Sequence, residues 1–68
     1  MFKMIEVIGI SAKGYSEACD NAIDTIIKNG EKPHFFEIVE QRGSIKENRV
    51  NQYQVKMKIA VEDYSENE

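Results

Sequence analysis

The run RVNQYQVKMKIAVE, Arg49 to Glu62, constrains this chain most. Tyr53, Val55, Met57, Ile59 and Val61 recur at every second position, and Gln52, Gln54, Lys56, Lys58 and Ala60 fill the places between. A period of two is that of a β-strand with an apolar face and a polar face. One such strand cannot bury its apolar face alone, so the rest of the chain must supply a sheet and a cover.

Three further elements precede it. Met1–Ser11, MFKMIEVIGIS, is a second strand. Ile5 and Val7 lie on one face, and Phe2, Met4, Ile8 and Ile10 mostly on the other. A strand exposed on one side would show polar residues there, so its second apolar face points to a further covering surface. Gly14–Gly30 reads as a helix, with Ala18, Cys19, Ala22, Ile23, Ile26 and Ile27 at three-and-four spacing. Glu17, Asp20, Asn21, Asp24 and Lys28 form its solvent face. Gly14 or Ser16 is expected to cap its start, with Glu17 as in a weak capping box, and Asn29-Gly30 to stop it. The third strand, which opens with KPHFFEIVEQRG, runs on to about Ile45. Lys46–Arg49 is polar enough for a short hairpin turn.

The resulting fold is α+β, in the order β-α-β-β. The helix returns the chain, so the first two strands in sequence run the same way and the last runs opposite to both. The simplest sheet places the last strand in the middle, a three-stranded antiparallel sheet of order 1-3-2 wrapped on one helix. With the turn centred on Glu47 and Asn48, Phe36 and Ile38 share the helix-covered face with Tyr53, Val55, Met57 and Ile59. Phe35, Glu37, Val39 and Gln41 then share the open face with Gln54, Lys56 and Lys58. A bulge near Gly43 would shift this parity.

Phe35 is therefore an aromatic ring among polar neighbours on an open sheet. It is either an oligomer contact or a platform for a flat conjugated ligand, which suits the stacking preferences of aromatic faces. Phe35 faces Ala60 in this register, six residues along the strand from Gln54, or about 20 Å at roughly 3.3 Å per residue. One chain cannot bring both to a single ring system.

At 68 residues the chain is expected to be a single domain, 1–68, with 62–68 a frayed tail. A domain this small usually needs a staple. A lone cysteine allows no internal disulfide, and one histidine with no second cysteine suggests no metal site, which leaves self-association. The net charge of −3 and pI of about 5.1 argue against nucleic acid as a partner. No apolar run approaches a membrane span or a secretory signal, and the lone reduced cysteine fits a cytoplasmic protein. Cys19 reads as a buried small hydrophobe and His34 as an ordinary strand-start residue. No base–nucleophile pair or facing carboxylates are suggested, so no enzyme is expected. Lys56 and Lys58 are expected to pair with Glu37 or with acids of a neighbouring subunit, and alternatively to attract phosphates, those of coenzyme A included.

In order, spacing and total length, VIGIS, SEACDNAID, FFEIVEQRG and NQYQVKMKIAV resemble the dodecins over nearly the whole chain. The resemblance implies a hollow homododecamer that binds riboflavin, FMN or FAD between subunits, for storage or sequestration and without turnover. It places Phe35 where the family has a stacking tryptophan; this chain has no tryptophan. Gln54 matches the glutamine that hydrogen-bonds the flavin edge, and Arg42 a position that can approach the ligand's tail or phosphate. The strand parity sets Arg42 on the helix side. The alternative is a cage of the same kind that has lost flavin and holds another ligand or ions, or is purely structural.

Overall fold

A computed structural model describes residues 1–63. The element order is β1 (Phe2–Ser11), α1 (Tyr15–Lys28), β2 (Pro33–Lys46) and β3 (Arg49–Glu62). The strands form one antiparallel sheet of order β1-β3-β2, as the alternation and connectivity require.

The hairpin between β2 and β3 closes through Glu47 and Asn48, both at positive φ (54° and 66°), with Lys46 opposite Arg49. Two left-handed residues make the primed turn whose twist matches that of the strands. The helix ends in a Schellman arrangement. Gly30 at φ 93° lets its own N–H reach the Ile27 carbonyl while Glu31 N–H reaches that of Ile26. Gly14 is the N-cap, one of the two residues expected there, and its carbonyl accepts from Ala18 N–H at 3.1 Å, but the capping box is not made. No side chain caps the helix, and Glu17 instead accepts a hydrogen bond from Ser11 Oγ at 3.1 Å.

Ala18, Cys19, Ala22 and Ile26 of α1 meet Val55, Met57, Ile59 and Val61 of β3 in the core, with Ile5, Val7, Tyr15 and Ile23 packed around them. Ile27, expected in the buried stripe, is half exposed. Gly9 sets where the helix lies. A Cβ there would stand 2.0 Å from the Ala18 carbonyl oxygen and 3.0 Å from Ala22 Cβ, so its absence lets the helix sit directly on β1. Drawn to β1 and β3, the helix does not cover β2. Phe36 and Ile38, expected beneath it, point to its side of the sheet yet stay 43% and 42% exposed.

Glu62, assigned to a frayed tail by the sequence, still belongs to β3. Its N–H bonds the Lys32 carbonyl at 3.0 Å, and Asp63 N–H bonds the Met1 carbonyl at 2.9 Å. The rest of the tail lies outside the described residues.

Candidate functional site

The face of the sheet away from the helix is built in rungs, each with one residue from β1, β3 and β2 in that order. They are Met4, Ala60 and Phe35; Glu6, Lys58 and Glu37; Ile8, Lys56 and Glu40; and Ile10, Gln54 and Arg42. Phe2, Met4, Ile8 and Ile10 are all exposed here, which places the second apolar face of β1 where the sequence put it.

Three register shifts between β2 and β3, at Pro33/Phe35, Ile38/Glu40 and Ser44/Ile45, rearrange the expected parity. Val39 is an extra residue between Ile38, opposite Met57, and Glu40, opposite Lys56. A bulge of this kind exchanges the two faces until a further irregularity reverses it, and here the shift between Ser44 and Ile45, close to Gly43 where the sequence allowed for one, does so: Ser44 faces Gln52 and Ile45 faces Val50. Arg42 therefore leaves the helix side, where the regular register placed it, and pairs with Gln54 on the open face. Gln41, expected on the open face, pairs with Val55 on the other. The shift at the head of β2 leaves His34 without a strand partner, between Pro33 opposite Val61 and Phe35 opposite Ala60.

Gln54 is held from two sides. Arg42 Nε donates to Gln54 Oε1 at 3.2 Å, and Gln54 Nε2 donates to Gln52 Oε1 at 3.2 Å. Arg42 has only donors, so it fixes which end of the amide faces it. One lone pair and one N–H of Gln54 stay available. A cleft of about 170 Å³ opens at this spot, lined by Ile8, Glu40, Arg42, Gln54 and Lys56 with Val55 beneath. Sequence reasoning placed Gln52 on the same face as Gln54 but gave it no role; their spacing of two was the available signal.

At the opposite end of the face, Phe35 is 54% exposed. Its ring meets that of Phe2 edge to face, centroids 6.1 Å apart at 90°. Phe2 also lies 4.6 Å from the His34 ring, and His34 Nε2 makes a 2.8 Å contact with Glu62 Oε1. The hydrogen bond from His34, ahead of its charge and those of the N-terminus and Lys32, holds the Glu62 carboxyl below the usual carboxylate range. Phe35 and Gln54 stay apart, since Ala60 and Gln54 are separated along β3 by about 20 Å.

Lys58 lies in register between Glu6 and Glu37, but no ion pair within 4 Å joins them among the described residues, so the expected pairing with Glu37 is not made within the chain. Cys19 is buried against the sheet, and burial, with the neighbouring Asp20 charge, pushes its thiol pKa up. No group of three or more His, Cys, Asp or Glu residues is placed to hold a metal among the described residues. No described helix is long and apolar enough to cross a membrane.

The Dodecin family model matches residues 1–62. Among solved structures, dodecin from Streptomyces coelicolor is 29% identical, with a TM-score of 0.87 over 96% of this chain and 94% of that one. Dodecin from Streptomyces davaonensis is 26% identical, with a TM-score of 0.86 over 93% and 94%. A tryptophan-to-phenylalanine mutant of the Thermus thermophilus dodecin is 33% identical, with a TM-score of 0.84 over 90% and 91%. No curated protein matches the sequence. With the family match spanning the four elements of the fold, the chain belongs to the dodecin family.

Proposed function

We propose that this chain binds a flavin (riboflavin, FMN or FAD) at the contacts between subunits of a homododecamer, and that the assembly stores or sequesters it without turnover. The observation that carries this reading is the division of the open face. An exposed aromatic ring, Phe35, stands at one end and an oriented amide, Gln54, at the other, about 20 Å away along β3. Each is half of a site for a flat polar heterocycle, and the halves meet only when two chains adjoin.

The chemistry of both halves fits an isoalloxazine. Its pyrimidine edge offers an imide N–H beside carbonyl oxygens. The amide of Gln54, with Oε1 accepting from Arg42 and Nε2 donating to Gln52, keeps an acceptor and a donor for that edge. Arg42 keeps its terminal guanidinium N–H groups for a carbonyl or a phosphate, where a charged donor makes the stronger hydrogen bond. Phe35 offers a flat face for offset stacking. When bound, the flavin supplies the light-absorbing ring system; the protein's part is to hold it and to exclude water and reactants. Lys56, beside the Gln54 cleft, makes the phosphate of FMN or of coenzyme A a further candidate ligand.

The test is a titration of the purified protein with riboflavin, FMN and FAD, followed by flavin fluorescence and anisotropy together. Saturable rise of anisotropy, with the number of sites set by the number of Phe35 side chains, supports the reading. Anisotropy that stays at the free-flavin value with all three would favour the second reading, a cage that has exchanged tryptophan for Phe35 and no longer holds flavin.

A further inference from the structure

We propose that Phe2, held by a clamp of His34 and Glu62, is a positioning residue that fixes the ring of Phe35 for stacking. The proposal deepens the flavin reading above and rests on it for its ligand. It starts from the bulge at the head of β2. Neighbouring residues in a regular strand face opposite sides of the sheet. His34 has no strand partner, and the register resumes at Phe35 opposite Ala60. The irregularity lets two consecutive side chains reach the same third one, and both rings contact Phe2.

Phe35 has little else to hold it. It stands on an edge strand, 54% exposed, and the residue opposite it is Ala60, whose single methyl group is too short to wall in a phenyl ring. An unwalled ring has rotamer freedom that a stacked ligand would have to remove. Phe2 supplies the wall, with its ring perpendicular to that of Phe35 at 6.1 Å. Such edge-to-face contacts are favourable and directional.

Phe2 is fixed in turn on its far side. The His34 ring packs against it at 4.6 Å, and His34 is tied to Glu62 at 2.8 Å. Glu62 is the residue opposite Phe2 in the β1–β3 register. The clamp thus takes one side chain from each strand, Phe2 from β1, Glu62 from β3 and His34 from β2. The backbone bonds Glu62 N–H to the Lys32 carbonyl and Asp63 N–H to the Met1 carbonyl close the strand ends around it.

The experiment compares wild type, Phe2→Leu, Phe2→Tyr and Glu62→Ala by FMN titration, with cage mass and aromatic-labelled NMR recorded for each. Phe2→Leu keeps apolar bulk and removes the ring. Its FMN affinity is expected to fall about three- to tenfold, with Phe2→Tyr within about twofold of wild type and Glu62→Ala between them. Through-space contacts between the Phe2 and Phe35 rings are expected in wild type and in Glu62→Ala at reduced strength. Phe2→Leu bound as tightly as wild type overturns the proposal, as does a Phe2→Tyr variant no better than Phe2→Leu. If Phe2→Leu fails to assemble, Glu62→Ala, which leaves both phenyl rings in place, decides alone: unchanged affinity overturns the clamp. If wild type binds no FMN, the flavin reading fails, and the NMR contacts decide the clamp separately: their presence supports it and their absence overturns it.

Discussion

Arg42 Nε donates a hydrogen bond to Gln54 Oε1 across adjacent strands at 3.2 Å, although a regular β2 would put the two side chains on opposite faces of the sheet. The extra residue at Val39 and the register shift between Ser44 and Ile45 together bring them to one face. Arg42→Met keeps the aliphatic stem and removes the donors. Gln54 is then free to turn over, and FMN affinity is expected to fall about tenfold, the size of one hydrogen bond to a charged group. Gln54→Leu is expected to cost at least as much. The double variant should lose less than the sum, because Arg42 acts partly through Gln54. Additive losses would mean the two contact the ligand independently.

Gly9 is the glycine where an added side chain would meet backbone most closely. A Cβ would meet the Ala18 carbonyl oxygen at 2.0 Å, and backbone cannot move aside as a side-chain tip can. Gly9→Ala is expected to destabilise by about 3 kcal/mol, the upper range of overpacking, read as a lower thermal midpoint at fixed protomer concentration. Ala at Gly14, where a Cβ would meet nothing within 4 Å and φ is extended, is the control and should change little.

The hairpin turn offers a gain in stability. Glu47 holds a left-handed conformation that non-glycine residues adopt at a cost. Replacing Glu47-Asn48 with Asn-Gly, the pair this turn type favours, is expected to stabilise the chain by about 1 kcal/mol. Thermal melts of both proteins check it; a lower midpoint for the Asn-Gly variant would contradict the primed-turn geometry.

Glu62 gives the clamp a dependence on acid. Its carboxyl pKa is lowered from 4.5 by the hydrogen bond from His34. A group whose pKa is depressed in the folded state stabilises that state above its unfolded pKa and loses the contribution as pH falls through the folded one. Wild type is therefore expected to melt above Glu62→Gln from pH 5 upward, and the gap to close progressively as pH falls below about 4.5. A gap that persists undiminished at pH 2 would show that the contact does not depend on the charge of Glu62.

Much of this was legible from alternation alone. The run Tyr53–Val61 identified the central strand, the two-faced apolar pattern of Phe2–Ile10 marked the exposed apolar face of β1, and Glu47-Asn48 marked the turn. Phe35 facing Ala60 followed from that turn. Between Val39 and Ser44 the regular register failed: Gly43 marked a place for a bulge, and the register does shift between Ser44 and Ile45, but nothing marked the extra residue at Val39, and the two shifts together reverse the side to which Gln41 and Arg42 point. The exposure of Phe36 and Ile38 was hidden for a different reason. It depends on how far across the sheet the helix lies, which the contact at Gly9 decides. The clamp joins residues far apart in sequence through a bulge at His34, so no local pattern carried it.

The central claim is that one flavin site takes Phe35 from one subunit and Gln54 from another. Co-assembly of Phe35→Ala subunits with Gln54→Ala subunits, each unable to bind alone, tests it most directly. The account predicts that mixed cages regain FMN binding, measured by anisotropy, at the fraction of interfaces that bring an intact Phe35 to an intact Gln54. Mixed cages that bind no better than either parent, while wild type binds, would place both residues' contributions within single chains and contradict it.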